Sequence, residues 1–315
     1  MNGLLIYVLR RLFWLPVILL IVSIVTFALG RFGPGDPVTA RLGDRYDPEV
    51  AARIRHELGY DQPLYVQYLR WLGGVLRGDL GETTQYQGYD VAEVIFPKIW
   101  VSAQLGLVAL LLTFGLGIPL GIWSAVNQGR WLDPFSINSF IFFQSMPVII
   151  TLPVLQWIFA VRLGWLPAAG WDGVLDRHIV LPALVLSLPG VASVARLMRA
   201  NTLEALHEDY VRTARAKGLR EFTVVSRHVA RNAMLPMVTV VGLSMVTLLE
   251  GAFFTESLYG IPGIGQFAVK SIGARDYDVF MALTLILAAA FVIANLAIDL
   301  AYAFIDPRIR LGEER

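Results

Sequence analysis

Six long apolar segments without a single charged side chain constrain the fold of this sequence more than any other feature. An α-helix needs about 20 mainly apolar residues to cross a bilayer, and inside the hydrocarbon its backbone must hydrogen-bond within the protein. Charged residues make up 16% of the 315-residue chain, whereas soluble domains contain about 25%. The sequence therefore predicts an all-α membrane protein with six transmembrane helices, at residues 12–29, 99–126, 135–161, 179–195, 233–249 and 279–298.

The distribution of Lys and Arg predicts how these helices are oriented. Short loops rich in basic residues stay in the cytoplasm, and such residues accumulate near both termini and in the segment 201–232. We therefore expect both termini inside, and we expect the first apolar segment to be retained because it is too long for a signal peptide. The predicted division is a tail with the first helix (1–30), an external segment (31–98), a transmembrane domain (99–305) with the cytoplasmic loop 201–232, and a cytoplasmic tail (306–315).

The external segment is predicted to contain two short helices. Asp47 followed by Pro48 is typical of a helix start, and this helix should run to about Leu58. A second helix should begin near Pro63 and form part of a small cap near the outer mouth of the membrane domain. Its apolar face is predicted to consist of Tyr65, Tyr68, Leu69, Leu72, Val75 and Leu76.

The segment 201–236 is the one long polar interruption between apolar segments that is also rich in Arg and Lys. Asn201 with Glu204 three residues later predicts a capped helix start, and residues 203–217 contain no Gly or Pro. Gly218 should end this helix in the left-handed conformation. A second polar segment, 221–232, leads to the next apolar segment. The pattern predicts a rigid docking surface made of a helix, a glycine turn and a second helix.

Two motifs in this loop carry a family resemblance. RTARAKG at 212–218 followed by RHVARNAMLP at 227–236 resembles the cytoplasmic loop of permease subunits in binding-protein-dependent ABC importers of the dipeptide, oligopeptide and nickel branch. The segment 58–83, with GDLG at 78–81, is similar to the external segment of the first of the two permeases in these importers. The sequence departs from the usual family loop at Arg212, where Glu is usual, and at Thr213, where Ala is usual. The resemblance implies the type I ABC importer permease fold, with a small external helical segment between spans 1 and 2.

The resemblance also implies roles and partners. The loop would contact an ATPase subunit through Tyr210, Arg212, Thr213, Ala214, Arg215, Ala216, Lys217 and Gly218. An outer gate would be formed by Glu256, Tyr259, Pro262, Gly263 and Gly265. The expected partners are a second homologous permease, two ATPase subunits that bind ATP and Mg²⁺, and an extracytoplasmic substrate-binding protein. The chain itself would be a non-catalytic subunit without a cofactor, in a bacterial or archaeal plasma membrane, importing peptides or similar small solutes.

Three polar residues, Asn138 and Gln144 within an apolar segment and Glu250 at the end of another, are candidates for the translocation path. Polar side chains at membrane depth need a partner or a wet cavity, and hydrogen bonds between helices would satisfy Asn138 and Gln144 equally well. Glu250 and Asp299 lie near the ends of their segments. Either one could serve a proton-coupled secondary transporter, or either could be structural and reach water from the span end.

Several classes of site are absent from the sequence. There is no Cys, no GxxxxGK[ST] phosphate-binding loop, no HExxH pair and no GxSxG turn. The four histidines, at positions 56, 178, 207 and 228, are scattered, and their spacing predicts no metal site. Nothing in the pattern indicates an enzyme or a nucleic-acid-binding protein.

Overall fold

A computed structural model describes residues 2–32, 37–42, 47–83, 88–130, 132–234 and 236–305. The protein is all-helical, as the apolar segments predict. The helices are α1 (Asn2–Phe32), α2 (Pro37–Leu42), α3 (Pro48–Glu57), α4 (Leu64–Val75), α5 (Val91–Val126), α6 (Leu132–Ser145), α7 (Val148–Gln156), α8 (Val180–Leu206), α9 (Asp209–Ala216), α10 (Glu221–Thr223), α11 (Ala230–Ala233), α12 (Met237–Tyr259), α13 (Ile264–Gly273) and α14 (Tyr277–Ile305).

Three further turns are helical with a different hydrogen-bond spacing. Residues Trp157–Arg162 and Val224–Val229 are π-helical, and Arg177–Ile179 form a 3₁₀ turn before α8. The chain forms two compact units. The first consists of Met1–Trp100 and Gly263–Arg315, and the second of Val101–Pro262.

In the first unit, α1 packs along α14, and α13 packs against α14. Gly30 of α1 allows this approach, because a Cβ at that position would lie 2.5 Å from Sδ of Met281. The Thr83 hydroxyl donates to the buried carboxylate of Asp276 at 2.7 Å, which joins the loop after α4 to the start of α14.

Both short helices predicted for residues 31–98 are present where the sequence predicts them. The Asp47 carboxylate accepts the backbone N–H of Glu49 at 2.9 Å and caps α3. Pro63 immediately precedes α4. The predicted apolar face of α4 is partly wrong, since Tyr65, Leu69 and Leu76 are exposed.

The side of α4 that does pack is the one that faces α1. The rings of Tyr68 and Trp71 lie 5.4 and 5.7 Å from the ring of Phe27, and the hydroxyls of Tyr68 and Ser23 share a hydrogen bond of 2.8 Å. Aromatic contacts with α1, rather than the full stripe of apolar residues, therefore fix the orientation of α4.

The second unit is organised around α8, which contacts α6, α7, α11 and α12. One apolar cluster surrounds the N-terminal half of α8 and contains Leu105, Leu152, Val185, Tyr259 and Ile261. A second cluster surrounds the C-terminal half; we call it the elbow cluster, and it contains Val194, Met198, Ala205, Val211, Ala214, Val224, Val229, Ala233 and Met237.

The apolar segment 135–161 does not form one straight helix. Its two parts, Phe135–Ser145 and Val148–Arg162, meet at an angle of 104°. Pro147 lies at the break as the residue before α7. Proline has no backbone N–H to donate, and it disfavours the helical conformation for the residue before it. The continuous span predicted for this segment is therefore replaced by a broken one.

The helix predicted to end near residue 195 continues as α8 to Leu206. Asn201 consequently lies inside α8, and the prediction that it starts a new helix is wrong. Its side-chain amide donates instead to the carbonyl of Ala233 at 3.3 Å. Met198, Thr202 and Ala205 are buried along this extension, so packing on one face sustains the helix beyond its apolar part.

Four helices among the described residues are long and apolar enough to span a membrane, and the broken pair α6–α7 would make a fifth. These four are Leu12–Phe32, Val91–Val126, Arg177–Leu206 and Tyr277–Leu296. Glu250 lies in α12 and Asp299 in α14, but their side chains lie outside the described part of the structure. The C-terminal tail 306–315 also lies outside the described residues.

Helix α5 approaches the backbone of α8 closely at Gly121. A Cβ at Gly121 would lie 2.5 Å from the carbonyl oxygen of Ala195 and 2.7 Å from Cβ of Met198. A Cβ at Gly115 of the same helix would meet no atom within 4 Å. We expect Gly121→Ala to destabilise the protein by about 1–3 kcal/mol, because the helices must move apart.

Thermal unfolding of the purified protein in detergent measures this effect. Gly115→Ala is the matched control, and it should leave the unfolding temperature unchanged or raise it, since Ala favours a helix over Gly. Equal unfolding temperatures for the two variants would contradict the close approach of α5 and α8.

Candidate functional site

The polar segment between α8 and α12 folds as a compact structure that we call the basic elbow, residues 209–233. It consists of α9, a turn at Gly218 and a helical arm formed by α10, the π-helical turn and α11. The prediction of one continuous helix over 203–217 is wrong. His207 and Glu208 interrupt it, and Glu208 adopts an extended conformation immediately before α9.

The elbow is attached through the inner face of α9. Val211 and Ala214, three residues apart, are both buried in the elbow cluster, as expected for neighbours on one helical face. Val224 and Val229 of the arm are buried in the same cluster. The interruption at 207–208 redirects the chain, so that these side chains reach Met198 and Ala205 of α8. Tertiary packing rather than local sequence therefore decides where the helix breaks.

The outer face of α9 carries most of the residues that the sequence assigns to docking. The exposed members are Tyr210, Arg212, Thr213, Arg215, Ala216 and Lys217. Arg212 is 72% exposed and pairs with the fully accessible Asp209 at 3.2 Å. The predicted set therefore divides into an exposed surface and one buried member, Ala214, which supports that surface from inside.

Gly218 closes α9 as the sequence predicts. Its φ is +72°, in the left-handed region. The N–H of Gly218 donates to the carbonyl of Arg215 at 2.9 Å, and the N–H of Leu219 to that of Ala214 at 3.4 Å. These two bonds form the Schellman motif, which satisfies the last carbonyls of a helix.

A two-bond ion pair spans this turn. The guanidinium of Arg215 donates to the two carboxylate oxygens of Glu221 at 2.7 and 3.2 Å. The hydrogen bonds from Arg215 hold the pKa of Glu221 below its ordinary value. The pair links α9 to the arm across the turn, in addition to the apolar contacts beneath them.

Two exposed apolar side chains follow the turn, and sequence reasoning missed both. Phe222 is 82% exposed, and Leu219 is 40% exposed. Aromatic side chains, Phe among them, are enriched at protein interfaces, so Phe222 is a candidate anchor for a partner. The available signal was that Phe222 is the only Phe, Trp or Tyr within residues 211–232.

A second ion pair joins Arg199, in the C-terminal half of α8, to Asp133 at the start of α6. The Arg199 guanidinium donates to both carboxylate oxygens of Asp133, at 2.8 and 3.1 Å. The backbone N–H of Gly129 also donates to this carboxylate at 3.1 Å. The hydrogen bond from Gly129, and then those from Arg199, hold the pKa of Asp133 below its ordinary value. The loop after α5 is thus tied to α8 close to the elbow.

An open cleft of about 460 Å³ lies beside the elbow. Glu204, Glu208 and Tyr210 line it together with the amide side chains of Asn201 and Asn232. The elbow therefore presents cations on α9 and carboxylates in the adjacent cleft.

The predicted outer-gate residues divide between the two units. In the second unit, the buried carboxylate of Glu256 accepts the Ser102 hydroxyl at 2.6 Å. Tyr259 is also buried; its hydroxyl donates to the carbonyl of Pro167, and its carbonyl accepts the N–H of Gly170 at 2.8 Å.

The remaining gate residues follow the end of α12. Pro262 is exposed at the end of the second unit. In the first unit, Gly263 precedes α13 in an extended conformation, and Gly265 is buried in the first turn of α13. Of the five predicted gate residues, Glu256 and Tyr259 are therefore buried within the second unit, whereas Gly263 and Gly265 belong to the first.

The two amides proposed for the translocation path lie on α6. Asn138 is exposed and Gln144 is half-buried. Among the described residues, neither side chain has a hydrogen-bond partner.

The ion pair between Arg215 and Glu221 predicts a pH dependence. Because the pKa of Glu221 is lowered in the folded protein, its stabilising contribution is present above the ordinary Glu pKa and is lost as the pH falls through the lowered value. We expect the difference in unfolding temperature between the wild type and Glu221→Gln to shrink as the pH is lowered from 7 to 3. Arg215→Gln should reproduce the same pH profile, and a pH-independent difference would contradict the pairing.

Comparison with known family models finds two matches along the chain. The model described as "Binding-protein-dependent transport system inner membrane component" matches residues 117–311. A model of the N-terminal part of such membrane components matches residues 4–88. Together the two matches include the basic elbow and helices α3 and α4.

Individual relatives match over nearly their whole length. The oligopeptide transport system permease protein OppB of Haemophilus influenzae is 37% identical, with 96% of this chain and 97% of the relative covered. The glutathione transport system permease protein GsiC of Salmonella paratyphi A is 38% identical, at 96% and 98% coverage. The dipeptide transport system permease protein DppB of Alkalihalophilus pseudofirmus is 35% identical, at 96% and 99% coverage.

A solved structure supports the fold. A chain of the MetNI methionine ABC transporter, in inward-facing conformations, superimposes with a TM-score of 0.55 at 19% identity. The match covers 68% of this chain and 97% of that chain.

Proposed function

This chain belongs to the family of binding-protein-dependent transport system inner membrane components, and on that premise we propose that it forms half of the import path for peptides, driven by ATPase subunits that dock on the basic elbow. The role as an ABC importer permease subunit follows from the family. The observation that supports the rest is the elbow itself, an exposed and charged surface that packs on α8 through the elbow cluster.

Six spans are the topology that we propose. The helix α12 contains 23 residues, or about 35 Å at 1.5 Å per residue, which is enough to cross a bilayer. Together with the four apolar helices and the broken pair it makes six. The excess of Lys and Arg in the elbow favours a cytoplasmic position for the elbow and both termini, with α3 and α4 on the outer side.

Peptides are the proposed cargo. The relatives named above are permeases for oligopeptides, glutathione and dipeptides, and glutathione is itself a peptide. A substrate-binding protein would deliver the peptide at the outer side, and a second, homologous permease would complete the path.

The elbow is suited to receive mechanical work from a partner that binds and hydrolyses ATP with Mg²⁺. Domain closure in a partner can move α8 only if the elbow does not bend. Three contacts oppose bending: the burial of Val211 and Ala214, the Schellman turn at Gly218 and the ion pair from Arg215 to Glu221. The contact surface would combine Tyr210, Arg212, Thr213, Arg215 and Lys217 with the apolar side chain of Phe222, and Ala214 would support it from beneath.

A permease subunit also needs an outer gate and a lining for the translocation path, and we assign residues to both. The buried hydrogen bonds of Glu256 and Tyr259 would hold the outer end of α12 closed against the loop at 167–170 until the helices rearrange. Asn138 and Gln144 have no hydrogen bond within the described part of this chain, so a wet path or the second permease would satisfy their amides.

ATP-dependent uptake tests the proposal directly. The chain would be reconstituted in liposomes with its companion permease, ATPase subunits and binding protein. Uptake of a labelled dipeptide should require ATP and all components. Uptake by the solitary chain driven by a proton gradient would instead indicate the secondary transporter that Glu250 or Asp299 could serve.

Gly218→Val should uncouple ATP hydrolysis from transport. A β-branched residue at a φ of +72° costs roughly 1–2 kcal/mol, because its Cβ clashes with the backbone in the left-handed region. We expect peptide uptake per ATP hydrolysed to fall severalfold, with membrane insertion intact. Gly218→Asn, which tolerates this conformation better, should retain more coupling.

Gly88→Val is the matched control for this experiment. Gly88 has a φ of +86° and, like Gly218, open space around it, but it lies in the external segment. Wild-type coupling in Gly218→Val, or an equal loss in Gly88→Val, would argue against a mechanical role for the turn.

Phe222→Ala should weaken assembly with the ATPase subunits. An aromatic anchor at an interface typically contributes more than 1 kcal/mol, so we expect the affinity to fall about tenfold in a pull-down titration with purified ATPase. Phe96→Ala, at a residue that is 61% exposed near the start of α5, should have no effect. Unchanged affinity in Phe222→Ala would mean that this side chain contacts lipid instead.

A further inference from the structure

Three metal-ligating side chains meet between the broken span and α8, far along the chain from the elbow. They are Asp172, Asp176 and His178, and one ligand atom from each lies within 4.8 Å of the other two. Nδ1 of His178 lies 3.2 Å from Oδ2 of Asp172 and also contacts Oδ1 of Asp176. We propose that this cluster binds a divalent transition-metal cation, with Zn²⁺ as the ion that it fits best.

Hydrogen bonding within the cluster does not satisfy all three groups. An imidazole Nδ1 carries at most one hydrogen, yet it faces oxygens of two carboxylates. Among the three side chains, two carboxylates outweigh even a protonated imidazole, and the neighbouring Arg177 places one further positive charge near Asp176. A divalent cation between the three atoms would accept a lone pair from each and neutralise both carboxylates.

Two of the three ligands, Asp176 and His178, are held in place before any ion binds, whereas Asp172 is 70% exposed. The Asp176 carboxylate accepts the backbone N–H of His178 at 2.9 Å, which caps the 3₁₀ turn Arg177–Ile179. Gly170 lies against the opposite edge of the imidazole, where a Cβ would fall 3.3 Å from Cδ2 of His178. The ring is only 23% exposed, and its Nδ1 faces the carboxylates.

The composition of the cluster selects the class of cation. Mg²⁺ and Ca²⁺ prefer sites built from oxygen atoms alone, whereas an imidazole nitrogen with two carboxylates suits Zn²⁺ and its neighbours in the first transition row. Three protein ligands would leave a fourth position for water.

A bound ion would join two parts of the second unit. Asp172 belongs to the loop that follows the broken span, whereas Asp176 and His178 belong to the turn that starts α8. The same loop is hydrogen-bonded to the end of α12, through the bonds of Tyr259 with Pro167 and Gly170. The cation would therefore stiffen the loop that packs against α12.

Metal analysis of the untagged, full-length chain tests the proposal. After treatment with a chelator and dialysis against Zn²⁺ in detergent, we expect one zinc per chain by mass spectrometry. His178→Gln and Asp172→Asn should each weaken Zn²⁺ binding more than tenfold in calorimetric titrations. Mutating a residue that only orients a metal ligand already lowers metal affinity about tenfold or more, and loss of the ligand itself should cost more than that.

The chain offers a matched control in His56. Its Nδ1 lies 2.7 Å from Oδ2 of Asp61, and this pair belongs to no three-ligand group among the described residues. His56→Gln should therefore leave Zn²⁺ binding unchanged. Unchanged zinc content in His178→Gln, or an equal loss in His56→Gln, would overturn the assignment.

Hydrogen exchange gives a second readout, which reports the effect of Zn²⁺ on the backbone rather than the amount of zinc bound. Zn²⁺ should slow the exchange of backbone amides in 170–178 of the wild type and have no such effect in Asp172→Asn. Unfolding temperatures of the metal-free variants, measured alongside, separate loss of the site from loss of the fold. An effect of Mg²⁺ equal to that of Zn²⁺ would count against the site.

Discussion

The burial of Val211, Ala214, Val224 and Val229 against the end of α8 is the interaction on which the functional part of this structure depends. A basic segment in water has no tendency of its own to pack, and an exposed ion pair such as Arg215 with Glu221 contributes little by itself. Apolar burial contributes about 25 cal/mol for each Å² removed from water. Four small apolar side chains that face inward therefore anchor the elbow to α8, and the cations on its outer face are positioned as a consequence.

The same helix organises the opposite end of the second unit. The N-terminal half of α8 lies in the cluster that contains Tyr259 and Ile261, and its C-terminal half lies in the elbow cluster. Gly121 permits α5 to approach the backbone of α8 between them. A displacement of the elbow would thus act on a helix that is packed along most of its length, which is a physical basis for the role that we propose.

Local signals were sufficient where a single residue type determines the backbone. Asp47 and Pro63 mark the starts of α3 and α4, and Gly218 ends α9, because capping and the left-handed conformation depend on few atoms. Local signals failed where packing against a distant segment decides where a helix begins or ends. Nothing near His207 predicts the interruption of a helix over 203–217, and Asn201 has the pattern of a cap but lies within α8.

The sequence by itself determined the all-helical class, the membrane setting and the family, because apolar length, charge placement and the loop motif are properties of the chain alone. Tertiary structure alone decided which face of the elbow is buried, that Phe222 protrudes beside it, and that Asp172, Asp176 and His178 converge. The reason is physical: hydrophobicity and capping act over a few neighbouring residues, whereas the burial or convergence of a side chain depends on what the rest of the fold places against it.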